Sequence, residues 1–134
     1  MSSGSRLDNI LLIEDDPDIR DTLADVLVEE GYSVGCAQDG AEGLACLRDA
    51  KDLPALIILD LMMPVMDGIT FRDEQQKNPA WSSIPVIVLS ADRTSRQKAE
   101  AMGARGYLQK PFGIHHLLEL VREVLCTSPV QPEA

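Results

Sequence analysis

Short, uniformly apolar runs alternate along this chain with longer segments in which apolar residues recur every three or four positions. The runs are ILLIE (Ile10 to Glu14), YSVGC (Tyr32 to Cys36), ALIILD (Ala55 to Asp60), IPVIVLS (Ile84 to Ser90) and GYLQK (Gly106 to Lys110). Each has the length of a strand, and most lack the polar alternation of a sheet with one wet face, so they predict strands covered by helices on both sides. The segments between them have helical period, which makes the chain a series of five βα units feeding one parallel sheet. The expected fold class is therefore α/β, a doubly wound five-stranded parallel sheet.

The helices carry their own punctuation. Asp16 before Pro17 predicts an N-cap followed by proline at the first helical position, with Ile19, Leu23, Val26 and Leu27 on one face and Gly31 suited to a left-handed C-terminal cap. Asp39 with Glu42 three residues later forms a capping box for the second helix, which turns Leu44 and Leu47 inward. Met66, Asp67 and Gly68 open a third helix that soon reads RDEQQKN. Its apolar stripe is so short that its stability is expected to be low or borrowed, with a mobile helix or a polar partner surface as the outcome. The fourth, RTSRQKAEAMGA, is also mostly polar and ends near Gly103. The last buries a stripe of Ile114, Leu117, Leu118, Val121, Val124 and Leu125, with His115 and His116 in its first turn as polar surface residues.

With 134 residues the chain fits a single domain. Residues 9–126 are its expected extent, with 1–8 as a flexible lead-in and 127–134 as a flexible tail or linker start, too short to be an output domain. The 22 acidic residues outnumber the 12 basic ones, a net charge of -10, which argues against direct binding to nucleic acid or an anionic membrane. No apolar run approaches the roughly 18 residues of a membrane span, and no signal peptide is evident, so the expected location is cytoplasmic. Cys36, Cys46 and Cys126 show no metal or disulfide spacing and are expected to be buried or half-buried thiols.

Candidate chemistry collects at the carboxyl ends of the strands, where open parallel sheets bind ligands. Glu14 and Asp15 follow the first strand, Asp60 ends the third, Ser90 the fourth and Lys110 the fifth. Asp60 is the most unusual, because LIIL leads straight into it and apolar residues resume until Pro64 turns the chain. Asp16 is explained by capping, and Ser90 or Lys110 alone could be an ordinary strand-end residue; their convergence at equivalent ends is harder to dismiss. Two like charges about 4 Å apart repel by about 4 kcal/mol at an effective dielectric of about 20. Three clustered carboxylates therefore hold a proton or a cation, and an all-oxygen site suits Mg²⁺ or another hard ion such as Mn²⁺. An aspartate beside a cation and the Lys110 ammonium is also a candidate nucleophile for phosphoryl transfer.

These residues resemble the receiver domains of two-component response regulators, the fold of the bacterial chemotaxis regulator. The motifs are IEDDP, ILDLMMPVMDG around Asp60, LSA at Ser90 and GYLQKPF from Gly106 to Phe112, and the likeness runs from about Asn9 to Leu125. The resemblance implies strand order 2-1-3-4-5, Asp60 as phosphoacceptor, and a metal held by Asp15, Asp60, Glu14 through water and the backbone carbonyl of Met62. It further implies Ser90 and Lys110 as the conserved-type hydroxyl and lysine, Ser90 and Tyr107 as switch residues, and a cis Lys110-Pro111 bond. Met62 and Asp92 take the positions that tune phosphoryl lifetime. The implied partners are a sensor histidine kinase or phosphotransfer protein and a downstream target on the surface of the fourth helix, fifth strand and fifth helix.

Two features depart from the family pattern. Arg105 and Gly106 stand where winged-helix regulators carry acidic residues before the switch aromatic, and Arg72 and Gln75 replace leucine-like residues of the third helix. Alternatives stay open at this point. A haloacid dehalogenase-like phosphatase would need an acid where Met62 stands. A degenerate receiver would act as a phosphorylation-independent binding module, and a flavin carrier of the same fold would need a phosphate cradle that the acidic first loop does not offer.

Overall fold

A computed structural model describes residues 9–63 and 65–126. The expected lead-in, the expected tail and the turn at Pro64 lie outside the described residues. Among the described residues ten elements alternate strictly: β1 (Asn9–Ile13), α1 (Pro17–Glu29), β2 (Ser33–Ala37), α2 (Gly40–Asp49), β3 (Leu56–Asp60), α3 (Gly68–Lys77), β4 (Val86–Ser90), α4 (Ser95–Ala101), β5 (Gly106–Gln109) and α5 (Ile114–Cys126). The five strands form one sheet in the order β2-β1-β3-β4-β5, and every pairing is parallel.

Each central strand feeds two cores because successive side chains point to opposite faces. Leu11, Ile13, Ile57, Leu59, Val86 and Val88 pack with Leu44, Leu47, Phe71 and Met102, placing α2, α3 and α4 on one side. Ile10, Leu12, Leu56, Ile58, Ile87 and Leu89 pack with Leu23, Leu27, Leu117 and Val121, placing α1 and α5 on the other. Burial on both faces is the physical reason that the strands read as unbroken apolar runs.

The local punctuation acts as expected. The Asp16 side chain accepts hydrogen bonds from the amides of Asp18 and Ile19. Asp39 accepts from the amide of Glu42, whose own carboxylate accepts from the amide of Gln38, one residue before the cap, instead of from Asp39 as in a full capping box. Gly31 has φ 103°, the left-handed conformation that glycine adopts without steric penalty. Val65, with φ 69°, has no such freedom. A β-branched residue in that region is strained by about 1–2 kcal/mol. Since the Val65 side chain is 83% exposed and contributes little packing, Val65→Gly is expected to raise the unfolding free energy by about 1 kcal/mol in urea denaturation, net of glycine's extra chain entropy.

One expectation needs correction, and another is decided between its alternatives. Cys36 and Cys126 are exposed, and only Cys46 is partly buried, because β2 is an edge strand and Cys126 ends α5. The third helix borrows its hold from the rest of the fold: Gly68, Phe71, Arg72 and Gln75 are all buried along α3. They follow the i, i+3, i+4, i+7 spacing of an inward face, but half of that face is polar. Arg72 donates from Nε to the Met102 carbonyl at 3.0 Å and from Nη1 to Gln75 Oε1 at 2.8 Å. Gln75 Nε2 donates to the carbonyls of Trp81 at 2.9 Å and Ile84 at 3.1 Å. Polar groups are stable in a core when their partners are present, and here the partners are backbone carbonyls from other segments.

Candidate functional site

Backbone hydrogen bonds between strands align the ends that carry the chemistry. The amide of Glu14 donates to Ala37 O, that of Leu61 to Leu89 O and that of Lys110 to Ser90 O, at 3.0, 3.1 and 2.8 Å. Asp60 therefore sits in register with Leu89, beside the ends of β1 and β5's neighbour β4. The return of the chain into α3 passes close by, with the amide of Gly68 donating to Leu61 O at 3.1 Å. A Cβ on Gly68 would stand 2.7 Å from the carbonyl oxygen of Asp60, so only glycine permits this approach.

Glu14, Asp15 and Asp60 each present a carboxylate oxygen within 4.8 Å of the other two. Glu14 is fully buried and Asp60 is 2% exposed. Lys110 Nζ reaches both, at 2.9 Å from Glu14 Oε1 and 3.4 Å from Asp60 Oδ2. The remaining oxygens are also engaged: Asp60 Oδ1 accepts from the amide of Met62, and Glu14 Oε2 from the amide of Asp16. Arg20 donates to the carbonyl of Glu14 and braces the β1–α1 turn.

One lysine does not neutralise this site. Burial and the Glu14 charge push the Asp60 carboxyl up to about 7, against the opposing pull of Lys110 and the Met62 amide. For Lys110, burial favours the neutral form, but its hydrogen bond to Glu14 and the charges of Asp60 and Glu14 together raise its pKa. Excess negative charge on converging carboxylate oxygens, with no histidine or thiolate among them, fits a hard divalent cation such as Mg²⁺.

The other expected residues lie on the β4 and β5 side. Ser90 is 1% exposed, and its Oγ accepts from the amide of Asp92 at 3.1 Å and from Ser95 Oγ at 2.8 Å. Tyr107 donates its hydroxyl to the carbonyl of Asp92 at 3.2 Å, and the Arg96 guanidinium lies 5.2 Å from its ring centre, within cation–π range. The Lys110-Pro111 peptide is cis. The Met62 side chain is 59% exposed and points no acid at Asp60. His115 and His116 are both exposed on α5, away from the carboxylate cluster.

The sequence reading missed Ser95, which touches Ser90, and the inward roles of Arg72 and Gln75. The helical spacing of Gly68, Phe71, Arg72 and Gln75 was the available signal for the last two. Ser95 had none, because its partner lies across a turn that only the fold closes.

A family profile described as the response regulator receiver domain matches residues 10–122. The DNA-binding dual master transcriptional regulator RpaA of Synechocystis is 37% identical over 93% of this chain and 52% of its own length. The response regulator MprA of Mycolicibacterium vanbaalenii is 36% identical over 87% of this chain and 49% of its own. The chain thus spans about half the length of these curated relatives. Among solved structures, the chemotaxis protein CheY4 of Vibrio cholerae superposes with a TM-score of 0.79 at 32% identity, covering 87% of this chain and 97% of that one. By the family match, the identities and the strand order together, the chain belongs to the receiver domains of two-component response regulators.

Proposed function

We propose that Asp60 is the phosphoacceptor of a switch formed by residues 9–126. The reading rests on one observation: a buried strand-end carboxylate sits within 4.8 Å of two others and beside an ammonium. A carboxylate oxygen of Asp60 attacks the phosphorus of a phosphohistidine on a partner sensor kinase or phosphotransfer protein. The O–P bond forms as the N–P bond breaks, and the departing imidazole takes up a proton. Asp15, Asp60, Glu14 through water and the Met62 carbonyl would hold Mg²⁺ or Mn²⁺, which when bound offsets charge on the phosphoryl oxygens. Lys110 and Ser90 supply an ammonium and a hydroxyl to the same oxygens.

The phosphoryl group adds charge and acceptor oxygens that draw in Ser90 and Lys110, and Tyr107 turns inward as Asp92 is displaced. A downstream protein then reads the α4, β5 and α5 surface. Among the described residues no helix is long and apolar enough to cross a membrane, and the charge of -10 supports a cytoplasmic domain that does not itself bind nucleic acid. Sustained phosphatase turnover has no support at Met62, where an acid would be needed.

Intact mass after incubation with Mg²⁺ and acetyl phosphate tests this directly. One phosphoryl group per chain is expected, with acetate leaving. No uptake by the parent, or equal uptake by Asp60→Asn, would overturn the assignment.

A further inference from the structure

Helix α4 packs on the core through Ala99 and Met102 and carries a polar anchor at each of its two ends. It has seven residues, of which only Ser95 and Ala99 are buried, and its N-cap residue Thr94 makes no side-chain capping bond. A helix this short has little stability of its own. At its start, fully buried Ser95 donates to Ser90 Oγ at 2.8 Å. Just past its end, Arg72 of α3 donates to the carbonyl of Met102 at 3.0 Å and approaches that of Gly103 at 3.5 Å. Arg72 is 7% exposed and is itself held by Gln75, so this end is tied to the core of the α3 side.

We propose that Ser95 is a positioning residue that carries the state of Ser90 into α4, with the Arg72 anchor as the pivot. The inference rests on Asp60 being the phosphoacceptor. A hydroxyl has one donor hydrogen and two acceptor lone pairs. Ser90 already accepts from Asp92 and Ser95, which leaves its hydrogen for a phosphoryl oxygen on Asp60. Drawing Ser90 toward Asp60 pulls its oxygen away from Ser95. A buried hydroxyl left without its acceptor is unfavourable by about 1–3 kcal/mol, so the first turn of α4 must follow Ser90 or open. The far end has no such link to Asp60, and a cation bonded to the terminal carbonyls of a helix is also favoured by its dipole. Phosphorylation therefore moves α4 as a lever hinged at Met102, instead of releasing it at both ends. Arg96, one residue after Ser95, lies over Tyr107, so motion of the first turn reaches the switch aromatic as well.

Hydrogen exchange of the full chain with Mg²⁺, with and without acetyl phosphate, reads the lever, and intact mass on the same samples reads phosphoryl uptake. In the parent, exchange at residues 92–98 is expected to accelerate about threefold or more on phosphorylation while 102–104 stay unchanged. Ser95→Ala should still take up the phosphoryl group yet lose the acceleration at 92–98, because that turn is already uncoupled from Ser90; Ser95→Thr, which keeps a hydroxyl, should restore it. Arg72→Lys, which keeps the charge but not the paired donors, should let the change spread to 102–106. Uptake with a parent-sized acceleration in Ser95→Ala overturns the proposal, as does a change still confined to 92–98 in Arg72→Lys. No uptake in the parent instead overturns the phosphoacceptor assignment, and this inference with it.

Discussion

Asp60→Asn is expected to stabilise the fold by about 2 kcal/mol at pH 8 without divalent cations, while removing all phosphoryl uptake. Asp60 has an ordinary value of 3.8 but is pushed up to about 7 in the folded chain, first by burial and next by Glu14. Between these values the folded state binds the proton more tightly than the unfolded state. Stability contributed by protonated Asp60 is therefore present below the unfolded value and is lost as the pH rises toward about 7. A shift of this size corresponds to an upper bound of about 4 kcal/mol, and relaxation and partial hydration of the site reduce it to about half.

Asparagine matches aspartate in shape and can still accept from the Met62 amide. Lys110 keeps Glu14 at 2.9 Å. The stability difference between parent and variant, measured by urea denaturation, should therefore be near zero at pH 4 and reach its full size above pH 7. Mg²⁺ should narrow it, because added cation relieves the parent's repulsion more than the variant's. A variant less stable than the parent at pH 8 would mean that Lys110 already compensates the buried charge.

Gln75→Ala is expected to destabilise the domain by about 3–5 kcal/mol, a large effect for a polar residue on a helix this rich in charge. Gln75 is fully buried and makes three hydrogen bonds: it accepts from Arg72 and donates to the carbonyls of Trp81 and Ile84. Truncation leaves two carbonyls without this donor, one guanidinium nitrogen without its acceptor, and a cavity the size of the missing side chain. Unsatisfied buried groups each weigh about 1–3 kcal/mol, which exceeds what a net hydrogen bond contributes when formed. Gln75→Glu distinguishes the network from volume alone. It keeps the acceptor for Arg72 and adds opposite charge, but turns an oxygen toward the two carbonyls, so it too should be destabilising. Urea denaturation checks both variants; a loss below about 1 kcal/mol for Gln75→Ala would show that water replaces the amide. The same network predicts amide protection in α3 comparable to that in α5, opposite to the expectation from its composition.

These effects separate what is legible in a sequence from what is not. The apolar runs and the 3.6-residue stripes specify the βα alternation because burial on both faces of a parallel sheet demands them. The caps at Asp16 and Asp39 and the turn at Gly31 are local, since their partners lie within a few residues, and they form as their types require. Glu14, Asp15, Asp60, Ser90 and Lys110 could be singled out because equivalent strand ends meet on one edge of such a sheet.

Hydrophobicity misjudged α3, since it assigns Arg72 and Gln75 to solvent on their own chemistry. Their burial depends on the carbonyls of Met102, Trp81 and Ile84, which the folded chain alone brings into reach. The same holds for the pairing of Lys110 with Glu14 across 96 residues and for the bond from Ser95 to Ser90. Sequence by itself thus determined the fold class and the edge on which the candidate site lies, because periodicity and local capping depend on near neighbours. Tertiary structure decided which groups are desolvated and which share an ion pair or a hydrogen bond, because desolvation and pairing depend on distances between strand ends that no local pattern encodes.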